Sequence, residues 1–270
     1  MDGFAVYCAI LISHAHLVAD AMTSTTMKPT RVGCAGWTIP KLAGPLFDTQ
    51  GTHLERYSKV FNCSEINSSF YRSHKPETWE RWAASVPDEF RFSVKVPKAI
   101  THDAKLNCTP AALSNFLGEI GFLREKLGPI LVQLPPRFQF EHSVVYEFLS
   151  RLRQSYQCEV VLEPRHITWF NHRANDLLKK FQVARVAADP ACVPSASEPG
   201  GKSNLVYFRL HGSPQRYYSS YDSRFLDALA YKLRHLRTES SIWCIFDNTA
   251  SGVAIRNAMD LRTALTTCPQ

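Results

Sequence analysis

The chain has 270 residues, a formal net charge of +7 and a pI near 9.0, with 45% hydrophobic and 20% charged residues. That balance excludes a disordered or fibrous chain and leaves one large domain or two modest ones. The basic excess favours anionic partners such as phosphorylated metabolites or nucleic acid, although Lys and Arg are scattered rather than gathered in runs.

Residues 1–30 differ from the rest. The apolar run at residues 4–12 is too short to span a membrane, and Asp2 is the only charge before it, so it lacks the basic flank of a signal peptide. These residues read as an extension outside the fold, with Met22 and Met27 as alternative starts and a targeting role as the other option. The domain then runs over residues 31–268. The eight cysteines contain no Cys-x-x-Cys pair, and Cys34, Cys63 and Cys244 sit in apolar runs. They read as reduced structural cysteines of a cytoplasmic protein rather than a disulfide framework or zinc site.

From Arg31 onward, strand-like runs alternate with segments of helical period. The strands are expected at 32–36, 63–67, 90–96, 130–134, 159–163, 183–187, 205–210 and 242–246. Helices are expected where apolar residues recur at three- and four-residue spacing, over 113–127, 144–152, 226–236 and 254–265, with shorter ones at 54–61, 77–84 and 171–181. Residues 189–203, rich in Pro, Ser and Gly, read as a loop. The pattern predicts an α/β fold, a single (β/α)8 TIM-type barrel with an irregular connection between the sixth and seventh strands. An open doubly wound sheet fits less well, because Gly33-Cys-Ala-Gly36 after the first strand lacks the third glycine of a dinucleotide fingerprint.

In such a barrel the chemistry sits at the carboxyl ends of the strands. The polar residues there are Glu65, Asn67, Ser68 and Tyr71 after the second strand, and Lys95, Thr101, His102 and Asp103 after the third. Gln133 ends the fourth; Glu163, Arg165 and His166 end the fifth, with Trp169 beyond. Asp189 follows the sixth, Arg209, His211 and Gly212 the seventh, and Asp247 and Asn248 the eighth. Paired carboxylates beside cations can be held at different pKa values, one as acid and one as base. Arg165, Arg209 and Lys95 suit a carboxylate or phosphate group. The turn from Asn248 to Gly252 and Gly212-Ser213 lie where this fold often cradles phosphate. No motif requires a cofactor, but the carboxylates and histidines would also serve a divalent metal. The Tyr217, Tyr218 and Tyr221 group with Arg216 could stack on a ring or base.

Five motifs stand in order: Glu65-Ile-Asn-Ser-Ser-Phe-Tyr71; Lys126-Leu-Gly-Pro-Ile-Leu-Val-Gln-Leu-Pro-Pro136; Glu163-Pro-Arg-His166 with Trp169-Phe170; Arg209-Leu-His-Gly212; and Asp247-Asn-Thr-Ala-Ser-Gly252 with Asn257-Ala258. In these the chain resembles the YecE-like proteins, domain-of-unknown-function family 72, over roughly residues 31–265. The resemblance implies a TIM barrel and marks Glu65, Asn67, Gln133, Glu163, Arg165, His166, Arg209, His211, Asp247 and Asn248 as motif residues, without implying a reaction. Two departures stand out. Gly33-Cys-Ala-Gly-Trp-Thr-Ile39 replaces a family pattern like Gly-Thr-Ser-Gly-Trp-Ser-Tyr, and Pro164 replaces a common Phe.

The expected function is acid–base chemistry, by a hydrolase, lyase or isomerase, on a small phosphate-bearing or otherwise anionic substrate. Glu65, Glu163, His211 and Asp247 are the catalytic candidates, with His211 as proton shuttle. Asn67, Tyr71, Lys95, Gln133, Arg165, His166, Arg209 and Asn248 are the substrate-binding candidates. The rivals are a metal-dependent phosphodiesterase or nuclease, and a non-catalytic module binding nucleic acid or a metabolite. No membrane partner is expected.

Overall fold

The computed structural model describes residues 28–267. Ten strands form one continuous sheet: β1 (Thr30–Ala35), β2 (Cys63–Ile66), β3 (Arg91–Lys95), β4 (Leu127–Gln133), β5 (Val160–Glu163), β6 (Val183–Arg185), β7 (Ala187–Asp189), β8 (Gly200–Gly201), β9 (Leu205–Leu210) and β10 (Ser241–Phe246). Their spatial order is β7-β9-β10-β1-β2-β3-β4-β5-β6-β8, and every pairing is parallel except that of β6 with β8. The sheet therefore curls until β7 at one end comes round towards β6 near the other, where the two-residue β8 is added outside it, giving a nearly closed barrel. Among the described residues seven α-helices surround it: α1 (His53–Ser58), α2 (Pro76–Ala84), α3 (Pro110–Ile120), α4 (His142–Ser155), α5 (His172–Lys180), α6 (Ser223–Leu236) and α7 (Ala254–Thr266).

Local chemistry sets the helix starts. Thr52 caps α1 in a reciprocal box with Glu55, and Thr109 caps α3 ahead of a proline in its first turn. Asn171 and Asp222 accept from backbone amides at the starts of α5 and α6.

The differences from the expected elements have local causes. The sixth strand is interrupted at Val186: Val183–Arg185 pairs with β5, whereas Ala187–Asp189 pairs with β9. The helix expected over 113–127 stops at Ile120, passes through a 3-10 segment containing Arg124 at φ 51°, and Leu127 already belongs to β4. The loop expected over 189–203 contains a short 3-10 turn and the two-residue strand β8. No α-helix spans that connection, and an apolar cavity of about 200 Å³ remains between α6 and the outer face of β7 and β9, lined by Ala187, Phe208 and Leu229. Thr30, expected to lie in the extension, pairs with Ile242 in the sheet, and residues 1–27 lie outside the described residues.

Two separate buried clusters divide the core. The larger packs the outward residues of the strands against the helices. The smaller comprises inward residues, Cys63, Leu131, Val161, Ala184, Val186, Leu205, Tyr207, Trp243 and Ile245, with Ala35 against them. Period-two alternation sends Cys34 to the outer cluster and Ala35 inward, so only the second departure in the first-strand motif faces the barrel lumen. Tyr57 of α1 accepts from the Cys34 amide at 2.7 Å and donates to the Cys63 carbonyl at 3.0 Å, tying β1 to the strand that carries Glu65.

The lumen is plugged by Trp243, whose ring lies nearly parallel to Tyr207 with centroids 6.0 Å apart. A Cβ at Gly128 would stand 2.7 Å from the Trp243 ring and 3.0 Å from the Phe92 carbonyl. Gly128→Ala is therefore expected to cost about 1–3 kcal/mol by overpacking, read as a lower urea midpoint with unchanged slope.

Candidate functional site

Along the inward faces of β2, β4, β5, β9 and β10 the residue type switches near the carboxyl end. Cys63 is followed by Glu65 on β2, Leu131 by Gln133 on β4, Val161 by Glu163 on β5, and Ile245 by Asp247 beyond β10. Tyr207 and Arg209 continue the same face of β9, ending at His211. The alternation that builds an apolar plug below thus delivers a polar layer above it.

Arg209 lies at the centre of that layer and is fully buried. Its Nε and Nη2 donate to the two oxygens of Glu65, at 3.0 and 2.6 Å. Its Nη1 donates to Glu163 Oε2 at 2.7 Å, and Nη2 also reaches Asp247 Oδ2 at 3.0 Å. The planar fork is matched to bidentate carboxylate contact, which a lysine could not reproduce. Burial alone would lower its pKa, but the three carboxylates raise it further above the usual arginine value.

The remaining oxygens are almost all occupied. Tyr207 donates to Glu65 Oε2 at 2.9 Å and also contacts Ser93 Oγ at 2.9 Å. Glu163 accepts from Gln133 Nε2 and from Arg165 Nε, both at 2.9 Å. His211 bridges two acids, with Nε2 3.0 Å from Glu163 Oε1 and Nδ1 2.9 Å from Asp247 Oδ2. Arg165 Nη2 also stands 3.5 Å from His211 Nε2. Asp247 Oδ1 is the one carboxylate oxygen of the cluster with no partner among the described residues.

Burial would raise the Glu163 carboxyl, but Arg165, Arg209 and His211 hold it well below the usual carboxylate range. Asp247 is opposed by burial in the same way and lowered by Arg209 and His211. Lys95 goes the other way: burial and Arg209 bring its amine down to about 8, against the pull of Glu65, Glu163 and Asp247. Its Nζ stands 4.0 Å from the centre of the Phe70 ring and has no hydrogen-bond or ion-pair partner among the described residues.

The sequence candidates therefore separate. Glu65, Gln133, Glu163, Arg165, Arg209, His211 and Asp247 are joined in one network, with Lys95 beside it. Glu65 has no exposure and both its oxygens are held by Arg209, so its position suits anchoring that guanidinium rather than proton exchange with a substrate. Asn248 is turned away: its amide donates to the Ser219 carbonyl and Asn257 Oδ1, pinning the loop after β9 to α7. His166 is occupied in a local turn with Thr168. Tyr71 is 78% exposed and packs edge-on against Phe70, whereas Phe70 itself is buried and touches Lys95. The Oδ1 of Asn67 is buried without a partner.

Tyr207 and Ser93 escaped the sequence reading. The signal was present, since each lies two residues before a candidate, Arg209 and Lys95, and so shares its inward face. Above the network, Tyr217 stands at φ 69° with its ring edge-on to His211 at 5.9 Å. Its amide donates to the His211 carbonyl.

For a metal, the donor set fits poorly, because the carboxylate oxygens converge on guanidinium hydrogens. Among the described residues no three His, Cys, Asp or Glu side chains are arranged to hold an ion. Nor is any described helix long and apolar enough to cross a membrane.

A barrel-like parallel sheet with a buried carboxylate–arginine network at its carboxyl end defines the class of this protein. The chain belongs to the family described as "Protein of unknown function DUF72", whose profile matches residues 31–270. It is 34% identical to UPF0759 protein YecE of Escherichia coli K12 over 134 residues, covering 49% of this chain and 48% of YecE, so the match spans about half the length of that relative. It is 23% identical to UPF0759 protein YunF of Bacillus subtilis over 85% of this chain and 92% of YunF. Among solved structures, a DUF72 family protein of Thermotoga maritima superposes with TM-score 0.74 at 25% identity, covering 88% of this chain and all of that one. One from Enterococcus faecalis superposes with TM-score 0.75 at 21% identity, covering 89% and 97% respectively.

The depressed pKa of Glu163 has a defined consequence for stability. The unfolded chain binds a proton at ordinary carboxylate pH while the folded chain does not, so Glu163 contributes stability above that range and loses it as pH falls through its folded pKa. Urea denaturation of wild type is expected to weaken steeply below about pH 4. Glu163→Gln should be less stable at neutral pH and show a shallower acid decline.

Proposed function

We propose that this is a (β/α)8-type enzyme whose strand ends bind a small anionic substrate, phosphate- or carboxylate-bearing, for acid–base chemistry. Counting β6 and β7 as one interrupted strand, and β8 as an addition, yields the eight strands of that barrel. Residues 31–268 are read as its single domain. Cys158 and Cys192, both exposed and without a disulfide partner among the described residues, are in keeping with a reducing, cytoplasmic setting.

One observation carries the ligand class. Glu65, Glu163 and Asp247 face Arg209, Arg165 and Lys95, and of these cations Lys95 alone has no carboxylate partner among the described residues. Among the described residues the Lys95 amine has no acceptor, and Arg165 uses only its Nε on a carboxylate. Two cations facing a low-dielectric mouth suit an anion better than any neutral ligand. Asp247 and His211 form the unit for proton transfer, since Asp247 Oδ1 is unoccupied and the ring links Asp247 to Glu163. Glu65 is assigned to hold Arg209 in place.

A thermal-shift panel of phosphorylated and carboxylated metabolites tests this, because a ligand that binds only the native state raises Tm. Wild type should rise with at least one class of anion, while Lys95→Met and Arg165→Met, folded by circular dichroism, should bind it at least about tenfold more weakly, the loss of ~1.4 kcal/mol. Equal shifts in wild type and both variants would remove the assignment. Binding of nucleic acid alone, with a steep salt dependence, would favour the non-catalytic rival.

A further inference from the structure

Lys95 is placed as a reactive amine rather than as a simple counter-ion. It lies among three carboxylates, yet every oxygen of Glu65 and Glu163 is taken by Arg209, Tyr207, Gln133, Arg165 or His211. No acid lies within ion-pair distance of its Nζ among the described residues. Instead the atom sits over the face of Phe70 at 4.0 Å, on the lumen side of β3, with only 8% of the residue exposed. A desolvated amine beside another cation is the arrangement that turns lysine into a nucleophile towards carbonyl groups.

His102 completes the geometry. Thr101 Oγ1 lies 3.1 Å from the Pro97 carbonyl and 2.9 Å from His102 Nδ1; with its single hydrogen on the carbonyl, the ring is the donor in the second contact. That assigns the proton to Nδ1 and leaves the Nε2 lone pair available. The His102 ring packs edge-on to the same Phe70, with centroids 4.9 Å apart. Burial, Lys95 and Arg165 lower its pKa, so the ring is neutral at physiological pH.

We propose that the Lys95 amine condenses with the carbonyl carbon of an aldehyde or ketone that also carries an anionic group, forming a protonated imine. This rests on the anion-site reading above, with Arg165 holding the anionic group. The ammonium gives one proton to His102 Nε2, and the freed lone pair forms the N–C bond as the carbonyl π pair moves to oxygen. A proton passes from nitrogen to that oxygen, giving a carbinolamine. His102 then returns its proton to the hydroxyl, which leaves as water while the nitrogen lone pair forms the C=N bond. The iminium keeps the single positive charge of the ammonium, so the balance with Glu65, Glu163, Asp247, Arg209 and Arg165 is preserved and no other reactant is consumed.

Borohydride trapping tests the step on the whole protein. Glyoxylate and glycolaldehyde phosphate serve as probes, with the modified lysine located by peptide mass mapping. An amine near 8 is deprotonated roughly a hundredfold more than an ordinary lysine at neutral pH, so Lys95 should be labelled at least about tenfold above exposed lysines such as Lys59 and Lys98. Lys95→Arg should lose the adduct while Lys59 and Lys98 are labelled to the same extent as in wild type. Labelling of Lys95 no greater than that of Lys59 and Lys98 would overturn the proposal. If anion binding persisted in that case, the anion site would stand without the nucleophile; if it were absent too, both would fall.

Discussion

A guanidinium shut away from water, Arg209, is the constraint on which the upper half of this barrel depends. A buried charge is tolerated only when its hydrogens and its field are both answered, and here Glu65, Glu163 and Asp247 answer them from three separate strands. The arrangement fixes more than charge. Because the fork is planar, the three strand ends must hold their relative register for the contacts to form at once. Gln133, Tyr207 and His211 fill the remaining acceptor sites, so the network is nearly saturated.

Saturation directs attention to what it omits. Among the described residues, Asp247 Oδ1 and the amine of Lys95 have no partner, and the terminal nitrogens of Arg165 make only one long contact, from Nη2 to His211 Nε2 at 3.5 Å. They surround the exit of the lumen, beneath Tyr217 on one side and Phe70 with His102 on the other. The buried acids set the field, and the outer groups are available to meet a ligand. This division explains why two carboxylates that look like an acid–base pair in the sequence occupy different roles in space. Both are committed to Arg209, whereas the less enclosed Asp247 keeps one oxygen without a partner among the described residues.

Much of this was legible in the chain. Seven helices followed from three- and four-residue apolar spacing, and the strand ends were marked by a switch from apolar to ionisable residues. The site residues are separated by tens of positions, yet the barrel brings their strand ends together, so counting strands was enough to collect most of them. What escaped did so for physical reasons. Val186 interrupts one strand because its two halves pair with different neighbours, a fact of closure that no local pattern encodes. Tyr207 looked like core because an aromatic ring in a strand buries well whether or not its hydroxyl has a partner. Asn248 and His166 were polar residues in the right place, but short side chains find nearby backbone and hydroxyl partners first. Alternation alone could have promoted Tyr207 and Ser93, since each shares a face with a residue already singled out.

The most direct test of Arg209 as the hub is a double-mutant cycle with Glu65, measured by urea denaturation at neutral pH. Arg209→Met alone leaves buried carboxylates uncompensated and should cost about 3–5 kcal/mol. Removing the acid as well, in Arg209→Met with Glu65→Gln, should recover part of that loss, giving a coupling energy above about 1 kcal/mol. Additivity of the two substitutions within about 0.5 kcal/mol would contradict the hub, because it would mean that Glu65 is held by something other than Arg209.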